Sequence, residues 1–267
     1  MTELVHVSTE RGVTTITLDS PHNRNALSRA LVDQLGTALR DAAGDDIVRA
    51  IVLTHTGGTF CAGADLGEAR AGSMTQGADD LFGLLTAIVE APKPVIGRIA
   101  GHVRAGGMGL VAACDIVLAD GRATFGVTES RIGLAPAVIS AALLPRLTSR
   151  AAGRYFLTGE TFDVATAAAI GLITEAVADD AGEATDTDTP EALYARVADL
   201  LDVLRACSPQ GLRESKAIAT AALRASLQDN RAHLTELSAR LFASEEATEG
   251  MTAFLERRKP RWAVETP

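Results

Sequence analysis

Four short runs rich in β-branched residues, each tied to a helical pattern or a glycine turn, constrain this chain more than any other feature. "VTTITLD" (13–19) alternates as a strand does, and "RAIVLT" (49–54), "KPVIGRIAG" (93–101) and "IVLAD" (116–120) repeat the signal. Between the first two, "SRALVDQLGTALRDAAGDD" sets Leu31, Leu35 and Leu39 on one helical face. It opens on Ser28, a side chain suited to capping the free amides of a first turn. "LFGLLTAIVEAP" reads as a helix ended by proline, and "AGGMGLVAACD" as the start of a helix of small residues. Strand, helix and strand in this order favour a right-handed crossover, and repeated ββα units build a stacked, spiral α/β core.

Beyond residue 145 the strand signals fade. "RAAGRYFLTGETFDVATAAAIGLIT" reads as two helices joined by a turn and followed by one short strand, and "LYARVADLLDVLRA" to "GMTAFLERRKPRW" is helical. The acidic stretch "ADDAGEATDTDTPEA" is an expected exposed loop, and "GEARAGSMTQGADD" an expected mobile rim. The chain therefore divides into a core with the site over residues 1–195 and a helical region over 196–267, which folds back on the core or packs on a neighbouring subunit.

With 267 residues, 47% of them hydrophobic, the chain can bury an ordinary globular core. No segment approaches the roughly 20 apolar residues of a membrane helix, and the start lacks a basic, apolar leader, so a cytoplasmic protein is expected. Cys61, Cys114 and Cys207 are odd in number, far apart and without CxxC spacing, which fits reduced thiols better than disulfides or a zinc site. A net charge of −9 speaks against nucleic acid as the main partner and leaves local basic patches for a small anionic molecule.

The chemistry gathers in two glycine-bearing segments. "GGTFCAGADL" follows the strand "RAIVLT" directly, and its small residues leave backbone N–H groups open to a ligand. "RAGGMGL" does the same at a helix start, where free amides and the helix dipole favour negative charge. Taken singly, each turn is also what close packing of helix on strand requires; facing each other, the two can form an oxyanion hole. Neither is a dinucleotide fingerprint or a phosphate loop.

"HNRNALS", "TFCAGADL", "KPVIGRIAGHVRAGGMGLVAACDIVLA", "ATFGVTESRIGLAP", "YFLTGETFDVATAAAIGLI" and "EGMTAFLERRKPRW" together resemble the crotonase superfamily, specifically the enoyl-CoA hydratases and isomerases. The resemblance runs in order from about residue 5 to about residue 262. It implies a spiral of ββα repeats, a helical C-terminal trimerisation region, a homotrimer or dimer of trimers, and an acyl-CoA thioester substrate. It implies no metal and no redox cofactor, coenzyme A being part of the substrate. Carried over, the amides of Ala64 and Gly106 match the oxyanion hole. Ala62, Asp65 and Leu66 would run beside coenzyme A, with Arg24 and Ala26 of the "NRNAL" turn near its nucleotide end. Lys259, with Arg257 and Arg258, would reach its phosphates.

Many hydratases of that group place two glutamates across the substrate double bond. Here the first of those positions is Gly109, and "FGVTE" supplies the second as Glu129. A carboxyl in a partly buried apolar site is pushed toward neutrality and suits proton transfer in either direction. Three readings follow. Glu129 alone supports hydration of a 2-enoyl-CoA, and "FGVTESRIGLAPAVIS" resembles a subgroup acting on branched or carboxylated substrates such as 3-methylglutaconyl-CoA. Alternatively Glu129 shuttles a proton between the α and γ carbons of a 3-enoyl-CoA, as an isomerase does. In the third the chain is a non-catalytic acyl-CoA-binding scaffold. His102 and Arg104, just before the glycine turn, are further candidates for meeting a substrate carboxylate or holding water, whereas His22 and His55 read as structural.

Overall fold

A computed structural model of the chain describes residues 2–71, 74–177 and 190–264. The main sheet has six strands: β1 (Val5–Glu10), β2 (Val13–Leu18), β3 (Ala50–His55), β5 (Val95–Ile99), β7 (Ile116–Asp120) and β10 (Glu175–Val177). They lie in that order, antiparallel between β1 and β2 and parallel from β2 onward. A second sheet holds β4 (Thr59–Cys61), β6 (His102–Arg104), β8 (Thr124–Gly126) and β9 (Thr161–Asp163); its first three strands are parallel and β9 is antiparallel. Each long central strand passes straight into a short one and then into helix: β3 and β4 before α2 (Leu66–Ala71) and α3 (Met74–Glu90), β5 and β6 before α4 (Gly106–Ala113), β7 and β8 before α5 (Ala137–Leu143). These are the expected ββα repeats.

A parallel sheet covered on both faces needs apolar residues on both sides of each strand. In β3, Ile51 and Leu53 join the main core, while Ala50 and Val52 face the opposite cluster. The main core receives α1 (Arg29–Gly44) through Leu31, Leu35 and Leu39. The other face is closed by α8 (Glu191–Ala206) through Leu193, Val197, Leu201 and Leu204.

Ser28 caps α1 as expected, its side chain accepting from the Leu31 N–H at 3.3 Å. Ser28→Ala is expected to lower stability by about 1 kcal/mol. Urea denaturation should show this as a lower midpoint at unchanged slope; an unmoved midpoint would deny the cap any weight.

Two expectations change, and a third falls mostly outside the described residues. The glycine-rich stretch after Leu66 is helical on both sides of residues 72–73, which lie outside the described residues. Asp65 nucleates the first of these helices, its Oδ1 accepting from Gly67 N at 2.9 Å and Glu68 N at 3.2 Å. The turn between α6 (Ser149–Thr158) and α7 (Val164–Ala169) contains β9, which pairs with β8. Of the expected acidic loop, residues 178–189 lie outside the described residues, and α8 begins at Glu191.

The remaining helices are α9 (Pro209–Ala219), α10 (Ala221–Phe242) and α11 (Glu245–Leu255). They fold back on their own core: α10 lies across α3 and α5, and α11 packs on the 3-10 turn Glu129–Ile132. Lys216 of α9 reaches the base of the core, donating to Ile88 O at 2.8 Å, Lys93 O at 3.0 Å and Asp115 Oδ2 at 2.7 Å. Burial pushes Asp115 up and Lys216 down in pKa, and the charge of each opposes the shift of the other. The acid that ends the glycine segment is thereby committed to anchoring a helix.

Candidate active site

One cavity of about 790 Å³ gathers most of the residues singled out in the sequence. Arg24, Ala26, Ala62, Ala64, Asp65, Leu66, Arg104, Gly106 and Glu129 all line it. Its first edge is the "NRNAL" turn, where Arg24 and Asn25 take left-handed φ of 59° and 52°. Buried Asn25 holds this turn in place: its Oδ1 accepts from Ser20 N at 2.6 Å, and its Nδ2 donates to Thr56 O at 3.2 Å and Thr59 O at 2.8 Å. The Arg24 carbonyl then accepts from Ala62 N at 3.1 Å, and Leu27 N donates to Gly63 O at 2.8 Å, so the segment carrying Ala64 is fixed by main-chain bonds.

Gly106 opens α4, and the first amides of a helix have no partner within it. Neither the Ala64 nor the Gly106 amide finds an acceptor among the described residues. The two turns touch: a Cβ built on Gly63 would stand 3.3 Å from the Gly106 nitrogen. Two unspent donors therefore border the same cavity. Cys61, beside them, is no nucleophile, since burial pushes its thiol up to about 12.

Glu129 begins the 3-10 turn Glu129–Ile132, and its Oε2 is buried with no hydrogen-bond partner among the described residues. Burial pushes its pKa up to about 7, against the opposing pull of main-chain donors at Glu129 and Thr128. Such a carboxyl exchanges its proton readily near neutral pH. Leu134, Val138 and Ile139 line the same cavity. Ile139 also explains Gly109: a Cβ at position 109 would lie 2.7 Å from Ile139 Cγ2 and 3.3 Å from Leu85 Cδ2. The place of a second acid is occupied by packed hydrocarbon.

Other candidates carry bonds of their own or lie outside the cavity. Asp65 caps α2 while lining the cavity. Arg104 also lines it, but its guanidinium donates to Val103 O at 2.9 Å, Thr124 O at 2.7 Å and Thr124 Oγ1 at 2.8 Å. Exposed His102 meets the same Thr124 hydroxyl at 2.9 Å and does not line the cavity. Lys259 is exposed and outside the lining. Arg258 is held by Glu249 at 2.7 and 3.0 Å, where its hydrogen bonds lower the Glu249 carboxyl to about 2. His55 is structural: it accepts from Ala100 N at 3.2 Å, packs edge-on against Phe60, and burial lowers its pKa to about 4. His22, read from the sequence as structural, lines the cavity.

The sequence reading missed the wall supplied by α10 and α11, with Ser238, Phe242, Phe254 and Leu255. No local pattern marks them; they arrive through the docking of helices more than a hundred residues away from Glu129.

Over residues 8–265 the sequence fits the family described as enoyl-CoA hydratase/isomerase. The chain belongs to that family. Among its enoyl-CoA hydratase/isomerase relatives is the 2,3-dehydroadipyl-CoA hydratase of Escherichia coli, 31% identical over 97% of this chain and 98% of the relative. The bovine mitochondrial enoyl-CoA hydratase domain-containing protein 2 is 31% identical, covering 96% of this chain and 86% of its own. A solved enoyl-CoA hydratase from Mycobacterium avium superposes with a TM-score of 0.88 at 50% identity, covering 98% and 100% of the two chains. The α/β fold with its C-terminal helices is thus that of the crotonase superfamily, and the chain is an enzyme of the enoyl-CoA hydratase/isomerase family.

Proposed function

We propose that this family member is a hydro-lyase adding water to a 2-enoyl-CoA, with Glu129 as its single acid–base group. The observation that carries the reading is the buried Glu129 Oε2, without a hydrogen-bond partner among the described residues, in the same cavity as the unspent amides of Ala64 and Gly106. In this reading the amides hold the thioester oxygen as enolate charge builds, a contribution of about 3 to 4 kcal/mol per donor. Glu129 moves the proton at the neighbouring carbons. Arg24, Ala26, Ala62, Asp65 and Leu66 flank coenzyme A. Water adds across a double bond without net oxidation, so the step asks for no redox group. Of the branched and carboxylated acyl chains, a carboxylated one fits the name of the Escherichia coli relative, a hydratase of an acyl-CoA ending in a carboxylate. A cytoplasmic homotrimer or dimer of trimers, joined through residues 196–267, completes the proposal.

One observation favours a second reading. With Ile139 packed over Gly109, water would have no second carboxylate to hold it, and a lone acid suffices for moving a double bond between positions 3 and 2. Enoyl-thioester absorbance separates the two. Its loss with crotonyl-CoA or 3-methylglutaconyl-CoA is the expected result. Its appearance from a 3-enoyl-CoA, without loss from the 2-enoyl form, would replace hydration by isomerisation. Inactivity on all of them with retained CoA-ester binding would leave a scaffold.

A further inference from the structure

The alanine in front of Gly106 holds a backbone shape that residues with a side chain rarely adopt. Ala105 has φ 45° and ψ −118°, a region where a Cβ is crowded and which persists only when the surroundings over-determine it. Three contacts do so here. The Ala105 N–H donates to Gly126 O at 3.2 Å, at the end of the strand that leads to Glu129. Its carbonyl accepts from Met108 N at 2.8 Å, inside the helix that Gly106 opens. Its methyl lies against Gly63, so closely that a Cβ on Gly63 would stand 2.6 Å from it. Gly63 itself has φ 93° and directly precedes Ala64.

The Ala105 methyl is therefore a wedge between the turn bearing the Ala64 amide and the turn bearing the Gly106 amide, and the Ala105 N–H ties that junction to the strand running into the Glu129 turn. A glycine at 105 would meet the φ and ψ without strain, yet would leave the junction a methyl short and free to close or rotate. We propose that Ala105 is a positioning residue, its methyl and its held backbone setting the separation and aim of the two amides relative to Glu129. This rests on the reading of those amides as donors to a thioester oxygen. It adds to that reading a residue whose side chain takes no part in proton transfer.

The test is Ala105→Gly, a change that relieves backbone strain and so keeps the fold. Thermal unfolding is expected at the wild-type temperature or above it, with KM for crotonyl-CoA within twofold and kcat lower by tenfold or more. A second readout needs no turnover: infrared difference spectra of bound butyryl-CoA carrying a labelled thioester carbonyl. In the wild type the carbonyl stretch should fall on binding, and in Ala105→Gly at least half of that fall should be lost. A variant with wild-type kcat and the full carbonyl shift would overturn the assignment while leaving the hydratase reading intact. A wild-type protein that shows no carbonyl shift and turns over none of the enoyl thioesters would overturn the reading and this assignment together.

Discussion

Glu129→Gln is expected to cut turnover by about 10³-fold and, at the same time, to make the protein more stable in alkaline buffer. The two effects share one cause. Burial raises the Glu129 carboxyl from 4.5 to about 7, so the folded chain holds this proton more tightly than the unfolded chain. The stabilisation that goes with it is complete below the unfolded value and is lost as pH rises through about 7. Above that, the fold carries an ionised, buried carboxylate at a cost of about 3 kcal/mol. Glutamine keeps the shape and never ionises. Thermal unfolding at pH 5 and pH 8 should therefore show the variant gaining on the wild type at the higher pH, with the two drawing together at the lower. An equal gap at both would mean that Glu129 is solvated in the folded protein, and unchanged turnover would remove it from the mechanism.

Gly109→Glu should do the reverse, costing about 3 kcal/mol or more through overpacking and a buried charge. The loss would come from Ile139, whose Cγ2 stands 2.7 Å from where the new Cβ must go. Ile139→Ala alone should cost about 2 to 4 kcal/mol by leaving a cavity. Combined, the two substitutions should be less harmful than their sum by about 1 kcal/mol or more, because each makes room for the other. The double variant would hold two carboxylates in one cavity, and the ratio of hydration to isomerisation should rise by about tenfold or more. Purely additive denaturation midpoints would show that a side chain at 109 never enters the space of Ile139.

These expectations depend on how the molecule divides between local and distant information. The strands β2, β3, β5 and β7 and the helix capped by Ser28 were readable because periodicity and capping act within a few residues. Ala64, Gly106 and Glu129 were readable as a set because their segments resemble a known order of motifs, and the fold brings all three to one cavity. Strand β9 was not, since three residues set no period and its pairing with β8 is what makes it a strand. The helix after Asp65 was hidden by Gly67 in its first turn, and only the capping carboxylate marks its start. The pairing of Arg258 with Glu249 and the turning of the Arg104 guanidinium to Thr124 are contacts that no local pattern marks. The filling of the Gly109 position by Ile139 is a contact between α4 and α5 that neither segment announces alone.

The packing of α11 on the Glu129 turn has a consequence in time. Leu134, Ala247 and Met251 form the small apolar cluster that joins the two, with Ile132 and Phe242 packed against it. A ribosome releases residues 129–132 on the order of ten seconds before it releases α11. Through that interval the turn lacks the helix that packs on it in the finished fold. The surroundings that complete the Glu129 turn are thus acquired late in the birth of the molecule, from a helix more than a hundred residues further along the chain.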